Sequence, residues 1–408
     1  MKISILICAM LLPFVAQAEN SYSILDARVA LNQDLSAKFQ IPAPVEQSKN
    51  LYPAFVKFRS QIPASLIDQD VAAIESSLKT AREASSYNAD NFKLLKDKDS
   101  LLKNFYALSS YSLCSKYLSR SVHLNLNGVI SMGRLAQLDA YQDQLKDNSA
   151  GALEKSLQAN KIFYDLSTCH NEIVGKLVSL HELSENLLTL SAINKTKASD
   201  VQTKAIADLK SSVDKITTDG LFKDALVFEV TDFYRIWRDD IQKNRDTISK
   251  KMFTSTTVDD KPSTKKDINE LIALLLGDNR VKIDLQKENK SFAHWIELIN
   301  QTPADSIHQT LADEADKSRE NFYQKLNLSQ AGLGSAADLK DSDKLSTLIQ
   351  KISGDNDLRK KMQDQFAKIL GKEDLIAFGV ISWLNPKEDV YDKFTKRVKD
   401  VQAASKKL

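Results

Sequence analysis

Between Pro63 and Pro262 the chain runs for 198 residues with no proline and five glycines. Folds built from strands turn often and draw on Gly and Pro to do so. A stretch this poor in both is read as helical. Inside it, apolar residues recur at Ile162, Leu166, Cys169, Ile173, Leu177, Leu180, Leu183 and Leu187. Steps of four and three keep such residues on one side of an α-helix. Taken as one helix, Ala152 to Ile193 would reach roughly 60 Å. The expected fold is all-α: an elongated bundle of long antiparallel helices followed by a second region of shorter helices.

The ends and joints divide the chain further. Met1-Lys2, the apolar run to Val15 and Ala16-Gln17-Ala18 read as a signal peptide over residues 1–18, cleaved before Glu19. Residues 19–62 carry Pro42, Pro44 and Pro53 and are expected to form an extended, proline-bearing arm. The long-helix bundle follows over 63–253. Its helices are expected from Ser65, over Asp99–Ser119 and over Val122–Lys146, with a turn at Asp147–Gly151 before the long helix. The polar stretch Thr254–Lys266 reads as a linker, and 267–408 as a C-terminal helical region. There Thr302-Pro303 is expected to open one helix and Asp355 to cap another, while Ile376–Trp383 fits strand or helix. The last helix, from Val390, is basic and reads as a solvated end.

Charge is nearly balanced, 56 Lys and Arg against 54 Asp and Glu, which argues against nucleic acid as the main partner. After signal cleavage no segment is long or apolar enough to span a membrane. The short signal and lysine-rich helices point to a bacterial periplasm and a soluble exported protein; the four N-x-S/T sequons would matter only in a eukaryotic secretory pathway. Cys114 and Cys169 would survive cleavage, and an exported pair is expected to form a structural disulfide. Helix arithmetic agrees: Cys114 falls roughly 24 Å, and Cys169 about 26 Å, above the bottom of the bundle. Two buried free thiols are the alternative.

The sequence holds no complete catalytic constellation. Ser131 has the wrong glycine spacing for a nucleophile elbow, and Ser76-x-x-Lys79 and Ser212-x-x-Lys215 lack an accompanying Lys-Thr-Gly. His170 and His181 share a helix face but would stand about 16 Å apart along its axis, too far for one metal. His181 and Glu185, one turn apart, are two ligands without a third. Phe222, Leu226, Val230, Phe233 and Trp237 make an aromatic-rich stripe that reads as helix–helix core rather than a ligand groove.

The sharpest pattern is His294-x-x-Glu297 within Phe292-Ala293-His294-Trp295-Ile296-Glu297. It resembles, over six residues, the Gly-x-His-x-x-Glu motif of exported all-helical proteins of the imelysin type, with Phe292 where the motif has glycine. The resemblance implies a metal- or ligand-binding protein, or a hydrolase, using the His294/Glu297 region. The residues themselves favour a non-enzymatic reading with no cofactor and no metal. That reading is a periplasmic helical scaffold or adaptor binding another cell-envelope protein, for example an accessory of a secretion or cell-wall machine.

Overall fold

A computed structural model describes residues 49–68, 71–112, 114, 126–169, 172–196, 198–243, 247–248, 264–282, 285–325, 334–335, 337–338, 341–370 and 389–408. The signal segment, most of the arm, most of the linker and Ile376–Trp383 lie outside them. The described chain is all-α, with one short antiparallel pair, β1 (Thr247–Ile248) with β2 (Val281–Lys282). It divides into two compact units, one drawn from Ile41–Glu229 and Glu388–Leu408, the other from Val230–Lys387.

The first unit opens with α1 (Leu51–Arg59), α2 (Ala64–Asp68) and α3 (Val71–Glu83). The end of the expected arm is therefore helical. Pro53 stands in the first turn of α1, where a missing N–H costs no helical bond. Leu51, Tyr52, Phe55 and Phe58 of α1 are buried. Helix α4 (Asp99–Ala107) ends twelve residues before the expected Ser119, passing into a 3-10 turn at Leu108–Ser110.

Helix α5 (Leu126–Leu145) runs unbroken through Gly128 and Gly133. Asp147 takes a left-handed turn (φ 60°), and Asn148 caps α6 (Ser149–Thr168) by accepting the Gly151 N–H at 3.2 Å. The expected helix of roughly 60 Å does not form. It is two helices, α6 and α7 (Ile173–Ala192), packed against each other with the chain reversed between them. At Cys169 the backbone leaves helical geometry (φ −58°, ψ 145°). The side-chain amide of Asn160 reaches the carbonyl of Asn186 at 3.1 Å, and Leu153 packs with Leu190. Both pairs are centred on the reversal. An apolar stripe has the same period whether the helix continues or folds back, so the stripe could not reveal the break.

Helix α8 (Asp200–Asp214) begins with a reciprocal capping box, Ser199 with Gln202. Helix α9 (Thr218–Lys243) passes from the first unit into the second. The last helix, α15 (Asp389–Ser405), packs against α7 and α8 and so completes the first unit; residues 267–408 are not one region in space. Phe222 of α9 meets Tyr391 and Phe394 of α15, with ring centroids 5.4 and 5.5 Å apart. Phe222, Leu226 and Val230 are buried, as a core stripe requires; the Phe233 and Trp237 side chains lie outside the described set.

In the second unit, α10 (Thr264–Leu276) packs against α13 (Ser342–Gly354) and α14 (Asn356–Leu370). Gly277, at φ +54°, ends α10, and Gln363 of α14 donates to the Leu274 carbonyl at 2.8 Å. Asp355 caps α14 as expected, accepting from the N–H groups of Asp357 and Leu358 at 3.0 Å each. Helix α11 (Leu285–Gln301) buries Phe292, Trp295, Ile296 and Ile299. Helix α12 (Ile307–Lys325) starts four residues beyond Pro303, which instead accepts the Ser306 N–H in a turn.

A buried polar knot ties α4, α5 and α6. The Tyr106 hydroxyl donates to Asp139 at 2.9 Å, and Lys155 bridges Asp139 and Asp143 at 2.9 Å each. Burial, with Asp139 alongside, raises the Tyr106 pKa well above its usual value, so the phenol stays a donor. Tyr106→Phe should cost about 1–2 kcal/mol, because Asp139 keeps its lysine but loses a donor. An unchanged urea midpoint would show that the bond contributes nothing.

A buried charge cluster as the candidate functional site

Helix α7 contacts α5, α6 and α15. Being surrounded, it buries more than one stripe. Gly175, Lys176, Ser179, Glu182, Ser184, Asn186 and Thr189 are enclosed along with Leu180, Leu183, Leu187 and Leu190. Its composition matches that position: three of its twenty residues are Lys, Arg, Asp or Glu, against 27% over the chain. That depletion was the available sequence signal for a central helix, and a reading built on one stripe passes over it.

Two of the three charges are fully enclosed. Lys176, 0% exposed, forms an ion pair at 2.7 Å with Asp224 of α9. Burial lowers the Lys176 pKa and the Asp224 carboxylate opposes that shift. Glu229, also on α9, accepts the N–H of Ile173 at 3.1 Å, placing a carboxylate at the positive end of α7.

Glu182 has no such arrangement. It is 1% exposed, and neither carboxyl oxygen has a hydrogen-bond partner among the described residues. The carboxyl group occupies the space a side chain at Gly133 would need: a Cβ there would lie 2.1 Å from Glu182 Oε2. Gly133 thus permits close packing of α5 on α7. Burial pushes the Glu182 pKa up to about 8, with Arg134, Arg397 and Arg82 pulling the other way.

The charges around it are already engaged. Arg82 donates to Gln137 at 2.8 Å and to Glu185 at 2.9 Å; Arg134 pairs with Glu75 at 3.3 Å. His181 Nδ1 lies 3.1 Å from an Arg397 guanidinium nitrogen, so Nδ1 accepts and the ring is neutral. Burial, then the Arg397 charge, lowers the His181 pKa. His181 and Glu185 share a helix face, yet their partners lie on different helices, α15 and α3.

The His294/Glu297 pair sits on α11, away from any comparable enclosure. The His294 side chain is 56% exposed, with Nε2 3.5 Å from Glu314, and Glu297 accepts from Gln301 at 3.0 Å. Among the described residues no group of three His, Cys, Asp or Glu could hold a metal ion. Where the imelysin-type motif has glycine, Phe292 is buried in the core. Cys114 and Cys169 are joined as a disulfide, with Cα atoms 4.9 Å apart. The geometry behind it differs from the helix arithmetic. Cys114 lies beyond the end of α4 and Cys169 at the reversal after α6. Lys161 holds the same segment through the Tyr111 carbonyl at 2.9 Å.

Residues 173–302 match the model of the Nup85 nucleoporin family. The match begins at the first residue of α7 and covers roughly a third of the chain, a likeness to that family rather than membership in it. No curated protein and no solved structure matches. The nucleoporin likeness contradicts the periplasmic location read from the short signal and the lysine-rich helices. A likeness to a nucleoporin family is at odds with a bacterial periplasm, and nothing matched supports a cell-envelope setting for the partner.

Proposed function

We propose that the chain is a non-catalytic helical scaffold that binds a protein partner. The observation that carries this reading is the likeness of residues 173–302, helices α7 to α11, to a nucleoporin family. The near-balanced charge is consistent with a protein rather than a nucleic-acid partner. The test is crosslinking of the full-length protein in its native cells, followed by mass spectrometry. Crosslinks from peptides within 173–302 to the same foreign protein in independent preparations are expected. Crosslinks confined to this chain would defeat the scaffold reading. Metal analysis addresses the His294/Glu297 alternative. Stoichiometric metal lost on His294→Ala would replace the scaffold by a metal-binding function, whereas the expected result is no metal and stability within about 0.5 kcal/mol of wild type.

A further inference from the structure

We propose that the seam where α7 meets α5 is a proton-operated contact, closed while Glu182 is a neutral acid and loosened when its carboxyl group ionises. The argument starts from space. Glu182 lies directly against the backbone at Gly133, is 1% exposed, and neither of its oxygens has a hydrogen-bond partner among the described residues. A neutral carboxylic acid tolerates such a site at moderate cost. An ionised one does not, because a buried charge without hydrogen bonds carries a far larger penalty.

Charges facing Glu182 come from each neighbouring helix. Helix α5 brings Arg134, α15 brings Arg397, α3 brings Arg82 and α7 itself brings Glu185. Glu75 of α3 pairs with Arg134, Asp400 of α15 lies 3.7 Å from Arg397, and the neighbouring His181 is neutral. On α6, Lys161 and Asp165 pair with each other at 2.5 Å, and on α9 Asp224 is held by Lys176. The three arginines donate to other groups, Arg82 to Glu185, Arg134 to Glu75 and Arg397 to His181, and none donates to the Glu182 carboxyl. Their charges favour its ionised form, but less than burial disfavours it. The proton released on ionisation passes to water, and the carboxylate gains donors only if the seam opens toward solvent or an arginine changes partner.

The sign follows from linkage. The folded-state pKa, about 8, lies above the ordinary 4.5, so the folded state holds a proton that the unfolded state has lost. The contribution of Glu182 to stability is complete below the ordinary value and is lost as pH rises through the folded one.

The experiment is urea denaturation of the full chain at pH 6, 7 and 8, for wild type, Glu182→Gln and Glu182→Met. Relative to either variant, wild type should lose about tenfold in its folding equilibrium constant between pH 6 and 7 and about fivefold between pH 7 and 8. Infrared spectra of the wild type should show a protonated-carboxyl band at pH 6 that fades by pH 9 and is weaker in the variants. Parallel pH profiles for wild type and variant would overturn the proposal. If neither variant folds, the wild type decides: persistence of the band at pH 6 and its loss by pH 9 supports the contact, and its absence at pH 6 overturns it.

Discussion

Replacing Cys114 and Cys169 with serine is expected to destabilise the first unit by about 4 kcal/mol in the chain-entropy picture. The bridge spans a sequence separation of 55 and encloses the whole of α5 and α6. Without it the unfolded chain regains the freedom of that loop, while the folded state keeps the Lys161 bond to the Tyr111 carbonyl as a weaker tie. For a unit of this size the loss corresponds to a melting temperature lower by on the order of 10 °C. Thermal scans of oxidised wild type, reduced wild type and the double serine variant provide the measurement. Coincident curves would show that the bridge contributes nothing. Alkylation of denatured, unreduced protein, read by mass spectrometry, determines whether the bond forms in the native setting. Disulfides are rare in cytosolic and nuclear proteins, so that result also reports the redox environment of the chain.

The second large effect is an asymmetry at the buried pair. Asp224→Ala should cost about 3 kcal/mol, because it leaves the Lys176 ammonium at 0% exposure without its carboxylate. Lys176→Met should cost far less, since an apolar chain of similar length fills the same space and Asp224 can turn toward solvent. With Asp224 at 27% side-chain exposure, the aspartate is the partner able to find water. Equal losses for the two variants would mean that packing, not the charge, dominates the site. A Lys176→Met/Asp224→Ala double variant near the Lys176→Met value would complete the cycle.

The all-α fold was legible in the sequence because its evidence is local. Missing prolines, helical spacing and caps such as Asp355 act within a few residues, and the backbone obeys them wherever the helix ends up. The burial of Ile162, Leu166, Leu180, Leu183 and Leu187 follows from the same spacing. The Cys114–Cys169 pairing was legible from the count of cysteines, although Cys114 lies outside the helix assumed for it.

What tertiary structure alone decided is how those helices are partnered. The fold-back at Cys169 leaves no trace in a stripe whose period is unchanged across it. The return of α15 onto α7 and α8 joins residues more than 180 apart in the chain, as where Gln402 reaches the Ile216 carbonyl at 3.1 Å. That return, together with α5 and α6, surrounds α7 and encloses its second face. Lys176 and Glu182 therefore change from ordinary helix charges into buried ones. Burial is a property of the neighbours a residue acquires, and no spacing within twenty residues of α7 specifies them.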